Sequence, residues 1–280
     1  MAVKVVTDST CDLPAETAEA LGITVVPLTV QFGSTSYRDG LDLGPDEFFL
    51  KLAHASTLPT TSQPSGGDFA ATYEALAQET DEILSIHISA KLSGTHSSAL
   101  VGRQAVTANC RIEIIDSLQA SMGLGLIVMA AARAARSGQT LDQVMEAVRG
   151  LIPRTFLFGV VDSLEYLHKG GRIGKASVLL SSLLQIKPLI ACRDGETYPL
   201  GRERTRPRAL ERMRKLVEEH SPINEMAILH STTPAEAEAL AERFSGILPR
   251  DQIIFARFGP VLGTYLGPGA IGVAFVEKER

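Results

Sequence analysis

Residues 82–99 read EILSIHISAKLSGTHSSA, and the parsing of this stretch decides the fold. The apolar, isoleucine-rich run over 83–88 predicts a buried strand, residues 89–94 a hydroxyl-rich turn, and the remainder a helix opening near Thr95. Strand, polar turn and helix make the repeating unit of an α/β fold. The turn also has chemical content. The first N–H groups of a helix have no partner within it and carry the positive end of its dipole, so they attract an anion. Ser93, Gly94 and Thr95 stand at that point, two hydroxyls that donate without adding charge and a glycine that lets a ligand approach. Simple N-capping by Ser93 or Thr95 accounts for the same residues.

Upstream, the run over 3–6 ends in Thr7-Asp8-Ser9-Thr10, and Asp12-Leu13-Pro14 starts a helix that closes at Leu21-Gly22. A second strand is expected over 23–30. Residues 31–58, with Gly-containing turns and a short helix over 45–54, read as an excursion from the main sheet. Pro59-Thr60-Thr61-Ser62-Gln63-Pro64-Ser65 is a stiff, uncharged, donor-rich segment before a helix over 68–79; it either caps that helix or faces a ligand.

Downstream, a strand over 112–115 precedes Ser121-Met122-Gly123-Leu124-Gly125, which opens an alanine-rich helix through 136. This G-x-G lacks the third glycine of the dinucleotide fingerprint, and close helix packing explains it. A further helix over 141–151 precedes Pro153, where the pattern changes. Two domains are expected: 1–150, an α/β domain with a mainly parallel sheet, and 151–280, an α+β domain. The second reads as a strand over 156–161, an apolar helix over 176–184, a hairpin over 187–200 turning at Asp194-Gly195, and strands over 225–230 and 252–255 flanking a helix over 234–244. A glycine-rich loop over 259–269 and a last strand over 271–276 close it. Three apolar runs end in Asp-Ser, at Asp8-Ser9, Asp116-Ser117 and Asp162-Ser163, as N-caps do. Residues 202–215 carry seven basic side chains, a solvated face or a docking surface for an acidic partner.

A formal charge of −5 and a pI near 5.7 argue against nucleic acid as the main partner. Three cysteines without a C-x-x-C pair fit reduced thiols in the cytoplasm, and no apolar run approaches the length of a signal peptide core or membrane span. The six histidines show no metal-ligand spacing. A P-loop at 170–177 fails because Lys169 and Ala176 occupy positions that need Gly and Ser or Thr. A serine hydrolase with Ser93 as nucleophile and His87 or His96 as base lacks the G-x-S-x-G elbow, since Lys91 and Thr95 stand at the glycine positions. The residues leave an uncharged, hydroxyl-rich anion site beside an apolar interior.

Thr7-Asp8-Ser9-Thr10, the 59–65 segment, Leu92-Ser93-Gly94-Thr95, Ser121-x-Gly123-x-Gly125, Lys169-Gly170-Gly171-Arg172-Ile173-Gly174 and the closing glycine-rich segment occur in one order along the whole chain. In this the sequence resembles the DegV family of fatty-acid-binding proteins. The resemblance implies a two-domain α/β fold with a long-chain fatty acid such as palmitate in an apolar tunnel, no cofactor and no catalytic residue of its own. It also implies a partner, the ATP-binding subunit of a fatty acid kinase, which converts the bound carboxylate to an acyl phosphate for phospholipid synthesis. By motif position Thr61 and Ser93 would bind the carboxylate, with Ser62, Gly94, Thr95 and Tyr265 around them. Arg172, with Arg202 and Arg204, would face the kinase. Tyr265 departs from the histidine common in this family's G-T-x-x-G-P-G segment; it can donate a hydrogen bond but carries no positive charge near neutral pH. A small serine acyl-ester hydrolase and a carrier of another lipid acid without a kinase are the alternative readings.

Overall fold

Short β-branched runs that bury both faces need a sheet with helices on either side, and the chain builds one first. The computed structural model describes residues 2–181 and 186–279. In it β1 (Lys4–Asp8), α1 (Ala15–Leu21) and β2 (Ile23–Val26) lead into an excursion made of β3 (Thr29–Phe32), β4 (Thr35–Arg38), α2 (Pro45–His54) and β5 (Thr60–Ser62). The chain returns through α3 (Gly66–Leu76), β6 (Glu82–His87), α4 (Thr95–Ala105) and β7 (Arg111–Asp116), followed by α5 (Ser121–Arg136) and α6 (Leu141–Leu151). The first sheet has the order β2-β1-β6-β7 and every pair is parallel. Successive strand side chains point to opposite faces, so Val6 and Ile83 meet Phe69 and Tyr73 of α3, while Val5, Leu84 and Ile86 meet Leu124 and Ile127 of α5. β1 sends the chain to one side and β6 to the other. The gap between their carboxyl ends is therefore a topological switch point, the place where open α/β sheets take ligands.

The second half adds β8 (Thr155–Val160), α7 (Glu165–Lys169), β9 (Lys187–Arg193), β10 (Glu196–Glu203), α8 (Arg206–Glu218), β11 (Ile223–His230), α9 (Pro234–Glu242), β12 (Ile253–Arg257), α10 (Pro260–Leu266) and β13 (Ile271–Glu277). Its sheet has the order β10-β9-β8-β13-β11-β12, antiparallel except for the parallel pair of β11 and β12. Helices α8 and α9 cover one face through Leu210, Met213 and Leu240, and α5 covers the other through Met122, Leu126 and Met129. Lying between the two sheets, α5 is apolar nearly all round, as a helix buried on every side must be. A Cβ on Gly125 would lie 2.8 Å from the Cys11 carbonyl oxygen, so close packing explains the glycine.

Several expectations change. The strand over 23–30 is two strands: Pro27, which has no N–H to give a ladder, separates β2 in the parallel sheet from β3, which pairs with β4 and β5 in a separate antiparallel sheet. The closing glycine-rich segment is largely helix, with Pro260 in the first turn of α10, and only its Gly-Pro-Gly end is loop. The expected apolar helix over 176–184 is 3-10 helix over Gly174–Ser181; its last three residues lie outside the described residues. Ser65 caps α3 in a reciprocal capping box with Asp68, as the capping reading of that segment requires. Of the seven basic residues over 202–215, five lie on α8, while Arg202 is on β10 and Arg204 follows it.

Candidate functional site

A cavity enclosing about 880 Å³ of empty space, counted out to its mouth, opens at the switch point, between Thr10 after β1, Ile88 and Ser93 after β6, and the inner face of the second sheet. Its walls are largely apolar, including Leu28, Phe158, Ile190, Phe258 and Leu262. Thr61, Ser93, Arg172 and Tyr265 also line it, and local backbone structure explains how each arrives there.

Thr61 is the middle residue of β5, opposite Val30 of β3. The two-residue period turns it inward and leaves Thr60 and Ser62 exposed. Its hydroxyl is bonded at 2.5 Å to the Tyr265 hydroxyl of α10. Ser93 ends a tight turn in which the Leu92 and Ser93 N–H groups both donate to the Ser89 carbonyl. Its hydroxyl is 2.8 Å from that of Thr95 and accepts from the Thr95 N–H at 3.3 Å. Arg172 crosses from the segment after α7 to donate from Nε to the Leu92 carbonyl (3.2 Å) and from Nη1 to the Gly170 carbonyl (2.8 Å). Its guanidinium lies 5.0 Å from the centre of the Tyr265 ring, within cation–π range.

The structure thus brings Thr61, Ser93, Arg172 and Tyr265 to one cavity, and one expectation is corrected: the site is not free of charge, because Arg172 lines it. Ser62, Gly94 and Thr95 do not line the cavity. Thr95 is buried and holds Ser93. The space left by the missing side chain of Gly94 is filled by the Gln63 amide, whose nitrogen would stand 2.4 Å from a Cβ there. Sequence reasoning passed over Gln63, although an amide between Thr61 and the capping Ser65 was the available signal. Arg202 and Arg204 are exposed on and after β10, away from the cavity lining.

The hydrolase geometry is absent among the described residues. His87 is bonded through Nδ1 to Asp8 Oδ2 (2.9 Å) and through Nε2 to the Ser85 hydroxyl (2.7 Å), which also accepts from Tyr73 (2.8 Å). Asp, His and Ser stand in triad order, yet all three are fully buried and none lines the cavity. The chain ties β1, β6 and α3 together. Among the described residues no histidine is bonded to Ser93, and burial lowers the pKa of His96. No group of three or more His, Cys, Asp or Glu side chains is placed to hold a metal ion among the described residues.

Two carboxylates, Asp39 buried and Asp12 half-buried, fix the start of α10. Asp12 accepts from the Gly259 N–H (2.9 Å) and the Ser121 hydroxyl (2.6 Å); burial pushes its pKa well above the usual carboxylate range. Asp39 accepts from the Ser9 hydroxyl and the Val261 N–H, and burial pushes its pKa up to about 7 against those bonds. A Cβ on Gly259 would be 3.0 Å from Asp12 and 3.3 Å from Asp39. A second, more polar cleft, about 1,350 Å³ of empty space counted into the solvent, shares Thr61, Arg172 and Tyr265 with this cavity.

Fold and cavity together define an α/β protein with a half-open, mostly apolar cavity that hydroxyls and the Arg172 guanidinium also line. The chain belongs to the DegV family: the family model described as "Uncharacterised protein, DegV family" matches residues 2–278. DegV domain-containing proteins of Halalkalibacterium halodurans and Deinococcus radiodurans are 36% and 37% identical, over 99% and 98% of both chains. Among solved structures, a fatty-acid-binding DegV family protein from Thermus thermophilus is 35% identical, with a TM-score of 0.92 over 99% of this chain and 100% of that one. DegV of Bacillus subtilis, a fatty acid binding protein, is 32% identical, with a TM-score of 0.89 over the same shares. A stearic acid-binding protein from Eubacterium ventriosum is 27% identical, with a TM-score of 0.88 over 99% and 98%.

Proposed function

We propose that the chain binds a long-chain fatty acid such as palmitate, with its tail in the apolar cavity and its carboxylate at Thr61, Ser93, Tyr265 and Arg172, and presents that carboxylate to a separate ATP-dependent fatty acid kinase subunit. The observation that carries this reading is the convergence of Thr61, Ser93, Tyr265 and Arg172 on a cavity whose lining is mostly apolar. The fatty acids bound by related structures support it. Each buried methylene contributes about 0.8 kcal/mol, so a sixteen-carbon tail contributes on the order of 10 kcal/mol before entropic costs. One hydrogen bond to a charged group adds about 1.5–3 kcal/mol. The tail supplies affinity and the polar end sets orientation.

In the transfer itself a carboxylate oxygen attacks the γ-phosphorus of ATP held by the kinase, the bond to the bridging oxygen breaks, and ADP leaves. The ionised carboxylate has no proton to lose, so this chain needs no general base and catalyses nothing by itself. Arg202 and Arg204 face the kinase, the reaction belongs to the cytoplasm, and the acyl phosphate feeds phospholipid synthesis. The test is titration with palmitate, followed by addition of a purified kinase subunit and labelled ATP. Saturable binding with label recovered in acyl phosphate is the expected result; binding without transfer removes the kinase from the account.

A further inference from the structure

Resting on that reading, we propose that Asp12 and Asp39 form a proton-operated catch for the α10 wall of the cavity: with a proton on the pair α10 is held against the ligand's tail, with none it is let go, and fatty acid binding therefore takes up a proton. Val261, Leu262 and Leu266 of α10 line the cavity, and both carboxylates tie the start of that helix to its surroundings. Asp12 joins the Gly259 N–H to the Ser121 hydroxyl of α5. Asp39 joins the Val261 N–H to the Ser9 hydroxyl, which also accepts from the N–H of Leu28 at 3.0 Å, another residue of the cavity wall.

The pair lacks a counter-charge. A Cβ on Gly259 would lie 3.0 Å from one carboxylate and 3.3 Å from the other, so both face one small space, and among the described residues no cation is bonded to either. The titratable groups beside them are Asp8 of β1, to which His87 of β6 is bonded, and the Cys11 thiol, which burial pushes up and keeps neutral. α5 presents a hydroxyl and α10 two N–H groups. Arg38 is committed to Asp42, Arg257 to Asp46 and the Ser231 carbonyl, and the Tyr265 hydroxyl to Thr61. Like charges so placed, with Asp39 only 4% exposed, disfavour double ionisation. Water that reaches the pair when α10 moves away removes the penalty, so the closed wall holds the proton more tightly than the open one. A tail that touches α10 only in the closed arrangement draws that proton in. The closed wall keeps its proton up to about pH 7, whereas a hydrated carboxylate has lost its own above about pH 4. Between the two, rising pH favours the open wall and weakens binding; above that range the effect levels off.

The test is calorimetric titration with palmitate at about pH 6 in two buffers of different ionisation heat, which counts the protons taken up. The comparison is with Asp12→Asn/Asp39→Asn, whose amides keep the carbonyl acceptors for Gly259 and Val261 and carry no charge; the titration of palmitate itself is common to both proteins. The wild type should take up to about one proton more than the double variant, and between about pH 5 and 7 its affinity should fall relative to the variant's by a factor approaching tenfold per pH unit, the limit for one linked proton. Asp39→Asn alone should lose part of the difference. Palmitate binding by the wild type without proton uptake overturns the inference with no variant needed, and so does an uptake that survives in the double variant; either leaves the carrier reading intact. A wild type that binds no palmitate at any pH overturns the carrier reading and the inference with it.

Discussion

Gly170→Ala is a one-atom-scale perturbation whose consequence is set by the Tyr265 ring. A Cβ at residue 170 would stand 2.4 and 2.6 Å from two carbons of that ring, where ordinary contact begins near 3.4 Å. The ring must therefore retreat by about 1 Å. Its hydroxyl is bonded to Thr61 at 2.5 Å, and a retreat of that size leaves it near the limit of any hydrogen bond. The Arg172 guanidinium stacked on the same ring loses its support. A carboxylate that depends on either group forfeits a charge-assisted hydrogen bond, about 1.5–3 kcal/mol, or roughly tenfold to a hundredfold in affinity. The crowding itself costs stability of about 1–3 kcal/mol. The assay compares palmitate with hexadecanol, which has the same tail and a neutral head. Palmitate affinity should fall by that factor while hexadecanol changes less than threefold. Unchanged palmitate binding, or an equal loss for both ligands, would refute the assignment of Tyr265 and Arg172 to the head group.

Ser93→Ala removes one donor and leaves the tail site intact, so palmitate occupancy should drop less than about tenfold, while phosphoryl transfer by an added kinase subunit drops further; equal losses would deny Ser93 a positioning role. Asp39 has its folded pKa raised from 3.8 to about 7 by burial, so the native state holds the proton more tightly than the unfolded chain, and stability should decline as pH rises from about 4 to 7. Asp12 acts in the same direction. A shift of about three units corresponds to at most roughly 4 kcal/mol, and Asp39→Asn should flatten part of that slope in urea unfolding between pH 4.5 and 7.5; an unaltered slope contradicts the assignment. His87→Ala leaves a void in the interior and takes one hydrogen bond each from Asp8, which keeps those from Thr10 and the Ile88 N–H, and from Ser85, which keeps that from Tyr73; it should cost about 3 kcal/mol of unfolding free energy, whereas an active-site serine phosphonate should leave Ser93 unlabelled in the wild type. Labelling at Ser93 would return the hydrolase reading to consideration.

The parallel sheet was legible in the sequence because its strands are short β-branched runs, each followed by a polar turn and a helix signal. The same signals misled at Pro27, where apolar residues on both sides concealed a change of sheet. The glycines and prolines over 259–269 argued for a loop; Asp12, whose carboxylate accepts from Gly259 across 247 residues, contributes to a helix start that local sequence does not encode. The segments that carry Thr61 and Ser93 are visible as donor-rich composition, and the family resemblance singled out the two residues within them. Arg172 was assigned to an outer surface, because its place in the cavity depends on a hydrogen bond to the Leu92 carbonyl 80 residues away. Gln63 over Gly94 is likewise a contact between two segments, and a reading of either one alone leaves that space to a ligand.

The most direct measurement is mass spectrometry of the purified protein, first native and then after solvent extraction. The account predicts one long-chain fatty acid at near-unit stoichiometry, lost on extraction and restored by added palmitate. A protein that arrives empty and fails to take up palmitate would contradict it.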